Sequence, residues 1–227
     1  MIITIDGPTA SGKSTTAKLL AQRLGFFYLN SGYLYRALAY LLMRDKGYSL
    51  ETIGDPTEPD IQTILDTKRL EYDCDSQGNP IIRFDGSNIT PYLKTGSQID
   101  QASSLASAHA IVRHILLDVQ RDIGKKHDLV IDGRDTGSVV FPYADFKFYL
   151  TAPLELRAQR FMNDEQRRGN KMSIEQATKQ LKIRDERDMT RSIAPLKIPQ
   201  GAIIIDNGLY TLEETVEILY QMIRHNQ

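Results

Sequence analysis

Gly7-Pro8-Thr9-Ala10-Ser11-Gly12-Lys13-Ser14 has the spacing G-x-x-x-x-G-K-[ST]. Glycines let successive backbone N–H groups curl around an anion, the lysine bridges outer phosphates, and the hydroxyl beside it can ligate Mg²⁺. This pattern marks residues Gly7, Pro8, Thr9, Ala10, Ser11, Gly12, Lys13 and Ser14, with Thr15 after them, as a nucleoside triphosphate cradle. Two more stretches carry phosphate chemistry. Asn30-Ser31-Gly32-Tyr33-Leu34-Tyr35-Arg36 and Val130-Ile131-Asp132-Gly133-Arg134-Asp135 each follow an apolar run. Asp132 suits a magnesium ion held through water, while Arg36 and Arg134 are either phosphate ligands or solvated surface charges. Farther on, Arg184, Asp188 and Arg191 share one face of a charged helix, because at about 100° per residue the last two lie about 40° and −20° around from the first. Such a row is either a salt-bridge ladder or a clamp for a phosphate and a sugar hydroxyl. Two separated phosphate-binding sets point to phosphoryl transfer onto an acceptor that is itself a phosphate.

These residues need elements to hold them. Ile2 to Ile5 reads as a buried strand feeding the first loop, and Gly12 to Leu24 as a helix with Gly25 in its closing position. Further strands are expected at Phe26 to Leu29, Leu129 to Ile131, Phe146 to Leu150 and Ala202 to Ile205, each followed by a turn and helical periodicity. Alternation of that kind predicts an α/β fold with a parallel sheet, whose carboxyl edge gathers ligands. The rhythm breaks in the middle. Gly54 to Asp60 is a polar breaker with two prolines, and Arg69 to Cys74 with Ile81 to Phe84 flank the turn Asp75 to Asn79 as an inserted hairpin. Gly96 to Asp122 reads as a long helical stretch and Thr178 to Arg191 as a charged helix; Tyr143, Phe146, Phe148 and Tyr149 read as core around a strand.

Composition excludes several classes. With 28 Lys+Arg against 29 Asp+Glu in 227 residues, the formal net charge of −1 gives no basic excess for nucleic acid or membrane. The lone Cys74 permits no internal disulfide, and the four histidines have no metal-binding spacing. A charge at Asp6 interrupts the N-terminal apolar residues, and nowhere do 18 apolar residues run together, so a soluble cytoplasmic protein is expected. A GTP switch is disfavoured: Asn170-Lys171-Met172-Ser173 lacks the guanine-reading Asp, and Asp75-Ser76-Gln77-Gly78 lies in the hairpin turn.

Together, Asp6-Gly7-Pro8 with the P-loop, Ser31-Gly32 with Tyr35-Arg36, Asp132-Gly133-Arg134-Asp135 with Gly137 and Val139-Val140-Phe141-Pro142, and the run from Arg184 to Arg191 with Ala194-Pro195-Leu196 resemble the bacterial cytidylate kinases, the long form of the nucleoside monophosphate kinase family. The resemblance covers nearly the whole chain. It implies a P-loop nucleoside triphosphate hydrolase-like fold: a five-stranded parallel core in one kinase domain over residues 1–227, a monophosphate-binding insert within 31–125, and a short lid near 156–172. It also implies ATP with Mg²⁺ as donor, CMP or dCMP as acceptor, and a place in pyrimidine salvage; a monomer is expected.

Residue by residue, the resemblance gives Lys13 the donor phosphates, and Ser14 and Asp132 the metal. Arg36, Arg134 and Arg191 take the acceptor phosphate with help from Ser31, while Tyr35, Arg184 and Asp188 take the sugar. Ser104, Arg113 and Asp135 take the base, and Arg157 and Arg160 are lid residues reaching the donor. Nine positions turn an unbroken helix by about 900°, which would put Ser104 and Arg113 on opposite faces, so a break near Ala108 is required. The chain departs from the family pattern at Asn30, at Phe161 and across Asn88 to Gly96.

Overall fold

Ile3 and Ile5 of β1 (Ile2–Asp6) are fully buried, and so are Thr4 and Asp6 between and beyond them, so the strand is covered on both faces. That is the condition of a central strand in a parallel sheet with helices on either side. The computed structural model describes residues 1–65, 69–93 and 97–225. Within it β1 is the middle of a five-stranded parallel sheet formed with β2 (Phe27–Asn30), β6 (Leu129–Gly133), β7 (Phe146–Thr151) and β8 (Ile203–Asp206), in the order β2-β6-β1-β7-β8. All five strands expected from sequence are present, with ends shifted by one or two residues.

The chain divides into two compact units, one of residues 1–28 with 128–227, the other of 29–127. In the first, the P-loop follows β1 and α1 (Lys13–Leu24) follows the P-loop. Gly12 caps α1 at φ 91°, and Gly25 closes it in the left-handed region with its N–H on Ala21 and Gln22 carbonyls. α1 packs on α9 (Leu212–Arg224), where Arg23 pairs with Glu217 and lies over the Tyr220 ring. α7 (Leu154–Arg167) and α8 (Ile174–Thr190) pack together around Ala158, Ala177 and Leu181. Phe161, the departure noted above, is part of that apolar contact, which accounts for a hydrophobic side chain there. α8 starts on a reciprocal Ser173–Gln176 capping box and stops at Thr190, so Arg191 is its cap and not, as expected, its last turn. Tyr143, expected in the core, is 97% exposed, whereas Phe148 is fully buried. Tyr143 sits in the loop before β7, outside the strand's alternation.

The second unit begins with α2 (Ser31–Lys46), whose Leu34, Leu38, Leu41 and Leu42 are fully buried. It is closed by Gly47. α3 (Glu58–Leu65) packs on α2 and starts inside the acidic breaker. β3 (Leu70–Cys74) and β4 (Pro80–Phe84) form the expected hairpin, and β5 (Ser87–Asn88) adds a third strand too short to leave a sequence pattern. α4 (Thr90–Leu93) follows, and Lys94 to Gly96 of the divergent segment lie outside the described residues. The helical stretch from Gly96 to Asp122 is two helices, α5 (Ser97–Ala106) and α6 (Ala110–Gly124), with the break where it was expected, near Ala108. The chain turns at 107–109, and His109 caps α6 with extended backbone (φ −76°, ψ 134°). Among the described residues no helix is long and apolar enough to cross a membrane.

Candidate active site

Sheet register places the first chemical group. Ile5 pairs with Asp132 and Asp6 with Gly133, so the Asp132 carboxylate stands at the carboxyl edge beside the P-loop. Ser14 Oγ, in the first turn of α1, donates to Asp132 Oδ2 at 2.6 Å, and Tyr28 Oη donates to Asp132 Oδ1 at 2.8 Å. The P-loop itself is tightly wound: Ala10 takes a left-handed φ of 60°, and a Cβ on Gly12 would lie 2.2 Å from Asn207 Nδ2. Only glycine fits that approach.

Lys13 is 6% exposed and folds back to donate to the Pro8 carbonyl at 3.0 Å. Burial and the neighbouring Arg134 charge lower its pKa to about 7, against the opposing pull of Asp132. A triphosphate would supply the negative charge this buried ammonium lacks.

Next to the loop lies a cluster of buried opposite charges. Arg134 donates through Nη2 to Thr9 Oγ1 at 2.7 Å and through Nε to Asp188 Oδ2 at 2.8 Å. Arg191 lies 3.9 Å from Asp188 and 3.6 Å from Asp135, and its Nε donates to the Ala194 carbonyl at 2.8 Å. Burial works against the Asp188 charge, but Arg134, Arg184 and Arg191 prevail and hold its carboxyl below the usual range. Arg184, Asp188 and Arg191 thus act on one locality, although Arg191 reaches it from the cap rather than from the helix face.

Arg157 and Arg160 grip the P-loop. Arg157 donates to the Thr9 carbonyl at 3.2 Å and to buried Asp185 at 2.6 Å; Arg160 donates to the Ser11 carbonyl at 3.4 Å and to Asn207 O at 2.9 Å. In this arrangement both shape the cradle from outside. Asn207, which sequence reading passed over, donates from Nδ2 to the Ser11 carbonyl at 2.7 Å and accepts from Thr215 Oγ1 at 2.6 Å. Its signal was its place directly after a strand at the carboxyl edge. Tyr28 was missed too, since an aromatic residue in a strand reads as core.

In the second unit, Ser31 opens α2 and is 7% exposed. Arg36 rests on the Tyr33 ring with 4.3 Å to the centroid, 3.5 Å from Asp100, and among the described residues its Nε has no hydrogen-bond partner. Arg113 lies over the Tyr35 ring at 5.4 Å and donates to the Ser107 carbonyl at 3.1 Å. Ser107 Oγ in turn donates to the Ser104 carbonyl at 3.0 Å. The break between α5 and α6 therefore ties Ser104 and Arg113 to the same corner, which one straight helix would not do.

The chain matches the cytidylate kinase family over residues 3–225. It belongs to that family. The cytidylate kinase of Thermotoga maritima is 38% identical over 222 residues, covering 98% of this chain and 96% of the relative. That of Caldanaerobacter subterraneus subsp. tengcongensis is 40% identical over 224 residues, covering 99% and 95%. Among solved structures, an uncharacterized protein from Eubacterium ventriosum aligns with a TM-score of 0.53 at 12% identity, over 99% of this chain and 98% of that one, which is a likeness of fold. As a member of the cytidylate kinase family the protein is a phosphotransferase of the nucleoside monophosphate kinase kind.

Proposed function

We infer that the protein moves the γ-phosphoryl group of ATP onto the phosphate of CMP or dCMP, giving ADP and CDP or dCDP. The observation that carries this reading is Arg134: one guanidinium touches Thr9 of the triphosphate cradle and Asp188 of the acidic cluster, so a second cationic set begins where the first ends.

A phosphate oxygen is already nucleophilic, so the acceptor needs no strong base. Catalysis then reduces to aligning two anions and neutralising charge as the phosphoryl group passes between them. Lys13 would leave the Pro8 carbonyl for the donor's outer phosphates. Arg134 and Arg191 would exchange part of their hold on Asp188 and Asp135 for the acceptor phosphate, with Arg184 and Asp188 on the sugar and Asp135 on the base. From the second unit, Ser31, Tyr35 and Arg36 are proposed as phosphate and sugar ligands, and Ser104 and Arg113 as base ligands, each on the sequence motif that carries it. The Nε of Arg36, without a hydrogen-bond partner among the described residues, supports its part.

Magnesium fits the residues present. One hydroxyl and one carboxylate 2.6 Å apart are hard oxygen donors, and no metal-holding group of three or more His, Cys, Asp or Glu side chains exists among the described residues. That is the sparse set typical of Mg²⁺, which keeps water and substrate phosphates as its other ligands. Ser14 and Asp132 would hold it, Asp132 through water, and it would supply charge neutralisation to the donor phosphates. The protein is proposed to work as a cytoplasmic monomer without nucleic acid or membrane partners.

An ADP-release assay with CMP, dCMP, UMP, AMP and shikimate tests the reading. CMP and dCMP are expected to lead, with UMP lower by about a hundredfold in kcat/KM, since two mismatched buried hydrogen bonds cost about 1 to 3 kcal/mol each. Preference for AMP or shikimate would refute it.

A further inference from the structure

The buried carboxylate of Asp6 has no part in the chemistry above, yet it is fully inaccessible and lies at the end of the central strand. Its Oδ1 accepts from the Thr136 backbone N–H at 2.9 Å and from Thr136 Oγ1 at 2.8 Å; its Oδ2 accepts from the Gly137 N–H at 2.7 Å. These donors open a π-helical turn, Thr136–Val140, marked by the Val140 N–H on the Asp135 carbonyl at 3.1 Å and the Phe141 N–H on the Thr136 carbonyl at 2.7 Å. Such wide turns are rare and recur at functional sites. This one is pressed against β1, because a Cβ on Gly137 would meet Thr4 Oγ1 at 2.6 Å and Asp6 Oδ2 at 3.3 Å.

The placement matters because of what lies between the anchors. Gly133 is the strand partner of Asp6 in the sheet, and Thr136 is bound by the Asp6 side chain. The two residues between them are Arg134 and Asp135. A two-residue bridge pinned at both ends by one residue has little freedom, and misplacing a charged ligand by about 1 Å can cost about a hundredfold in rate.

We propose that Asp6 is a positioning residue for the acceptor side of the site: through Thr136 and Gly137 it fixes the π turn, and so the aim of Arg134 and Asp135. This rests on the acceptor role given to those two residues. Burial alone would make such a carboxylate unwelcome, and it raises the Asp6 pKa to about 6 even against the hydrogen bonds from Gly137 and Thr136.

The test is steady-state kinetics on D6N, T136V and R134A, with thermal unfolding of each. D6N keeps the shape but turns an amide N–H toward the Gly137 N–H; T136V removes a single bond from the same latch. The KM for CMP is expected to rise about tenfold in D6N and about threefold in T136V, with the KM for ATP held within twofold. If both KM values move together, or neither moves, the positioning role is overturned. T136V decides the matter by the same criterion if D6N does not fold. R134A separates the two layers. If it leaves the KM for CMP unchanged, the acceptor reading itself fails; if it raises that KM while D6N and T136V are silent, only the present inference fails.

Discussion

The candidate ligand arginines of the two units are held in different ways. In the first, guanidinium groups face carboxylates: Arg134 with Asp188, Arg157 with Asp185, and Arg191 with Asp135 and Asp188. In the second, Arg36 lies on Tyr33 with a looser contact to Asp100, and Arg113 lies over Tyr35 with a backbone carbonyl beside it. A carboxylate fixes a buried guanidinium, but it also competes with an incoming phosphate for the same donors. An aromatic face supports the flat side of a guanidinium without competing for its N–H donors. The first arrangement couples binding to stability, whereas the second keeps them apart.

Removing the shared carboxylate should therefore break the difference most visibly. Asp188→Ala takes the paired carboxylate from Arg134 and one of two nearby carboxylates from Arg191, and is expected to cost stability near the low end of about 3 to 5 kcal/mol, because Arg134 keeps some access to water and Arg191 keeps Asp135. Thermal unfolding of this variant should fall well below that of the parent. An unchanged midpoint would mean that the cluster is not held by its ion pairs.

Lys13→Ala comes next. Its ammonium donates to the Pro8 carbonyl and, among the described residues, forms no ion pair with a carboxylate, which suits the donor-phosphate role proposed for it. The expected loss in kcat is at least about a hundredfold with the fold intact. Near-normal turnover in a folded variant would remove Lys13 from the reaction.

Asp135→Asn keeps the shape beside Arg191 while removing the charge. Cytosine presents an amino donor to a carboxylate, whereas an amide can also donate to uracil O4. The CMP-to-UMP ratio of kcat/KM should fall about tenfold, mainly because CMP becomes worse. A ratio that stays put would show that Asp135 does not read the base.

The smallest effect on stability is expected at Arg36→Ala. With a stacked ring and, among the described residues, one carboxylate 3.5 Å away as its neighbours, its removal should change stability by no more than about 1 kcal/mol. Calorimetric unfolding checks this directly. A loss as large as that of Asp188→Ala would erase the contrast between the units.

How much of this was legible in the sequence follows from how local each cause is. The P-loop could be read in full, because its curl, charge and hydroxyl depend on residue types at fixed spacing. The strands were visible for the same reason, as β-branched runs ending in turns. The α5–α6 break left no glycine or proline signal, since Ser107, Ala108 and His109 all tolerate a helix; only the demand that Ser104 and Arg113 share a side pointed to it. Asp6 read as a strand-ending polar residue, while its partners stand 130 positions away. The same holds for Arg134 and Asp188, 54 positions apart. Sequence spacing allowed Asp188 to pair with Arg191 three positions on, but not with Arg134 from a distant strand end.

In the proposed function the arginine-aspartate cluster of the first unit belongs to the acceptor and the P-loop to the donor. Isothermal titration of Arg191→Ala with CMP and, separately, with ATP tests it most directly. Loss of one charge-assisted contact should weaken CMP by about 1.5 to 3 kcal/mol and leave ATP nearly unchanged. If ATP affinity falls instead while CMP binds as before, the two sites have been exchanged.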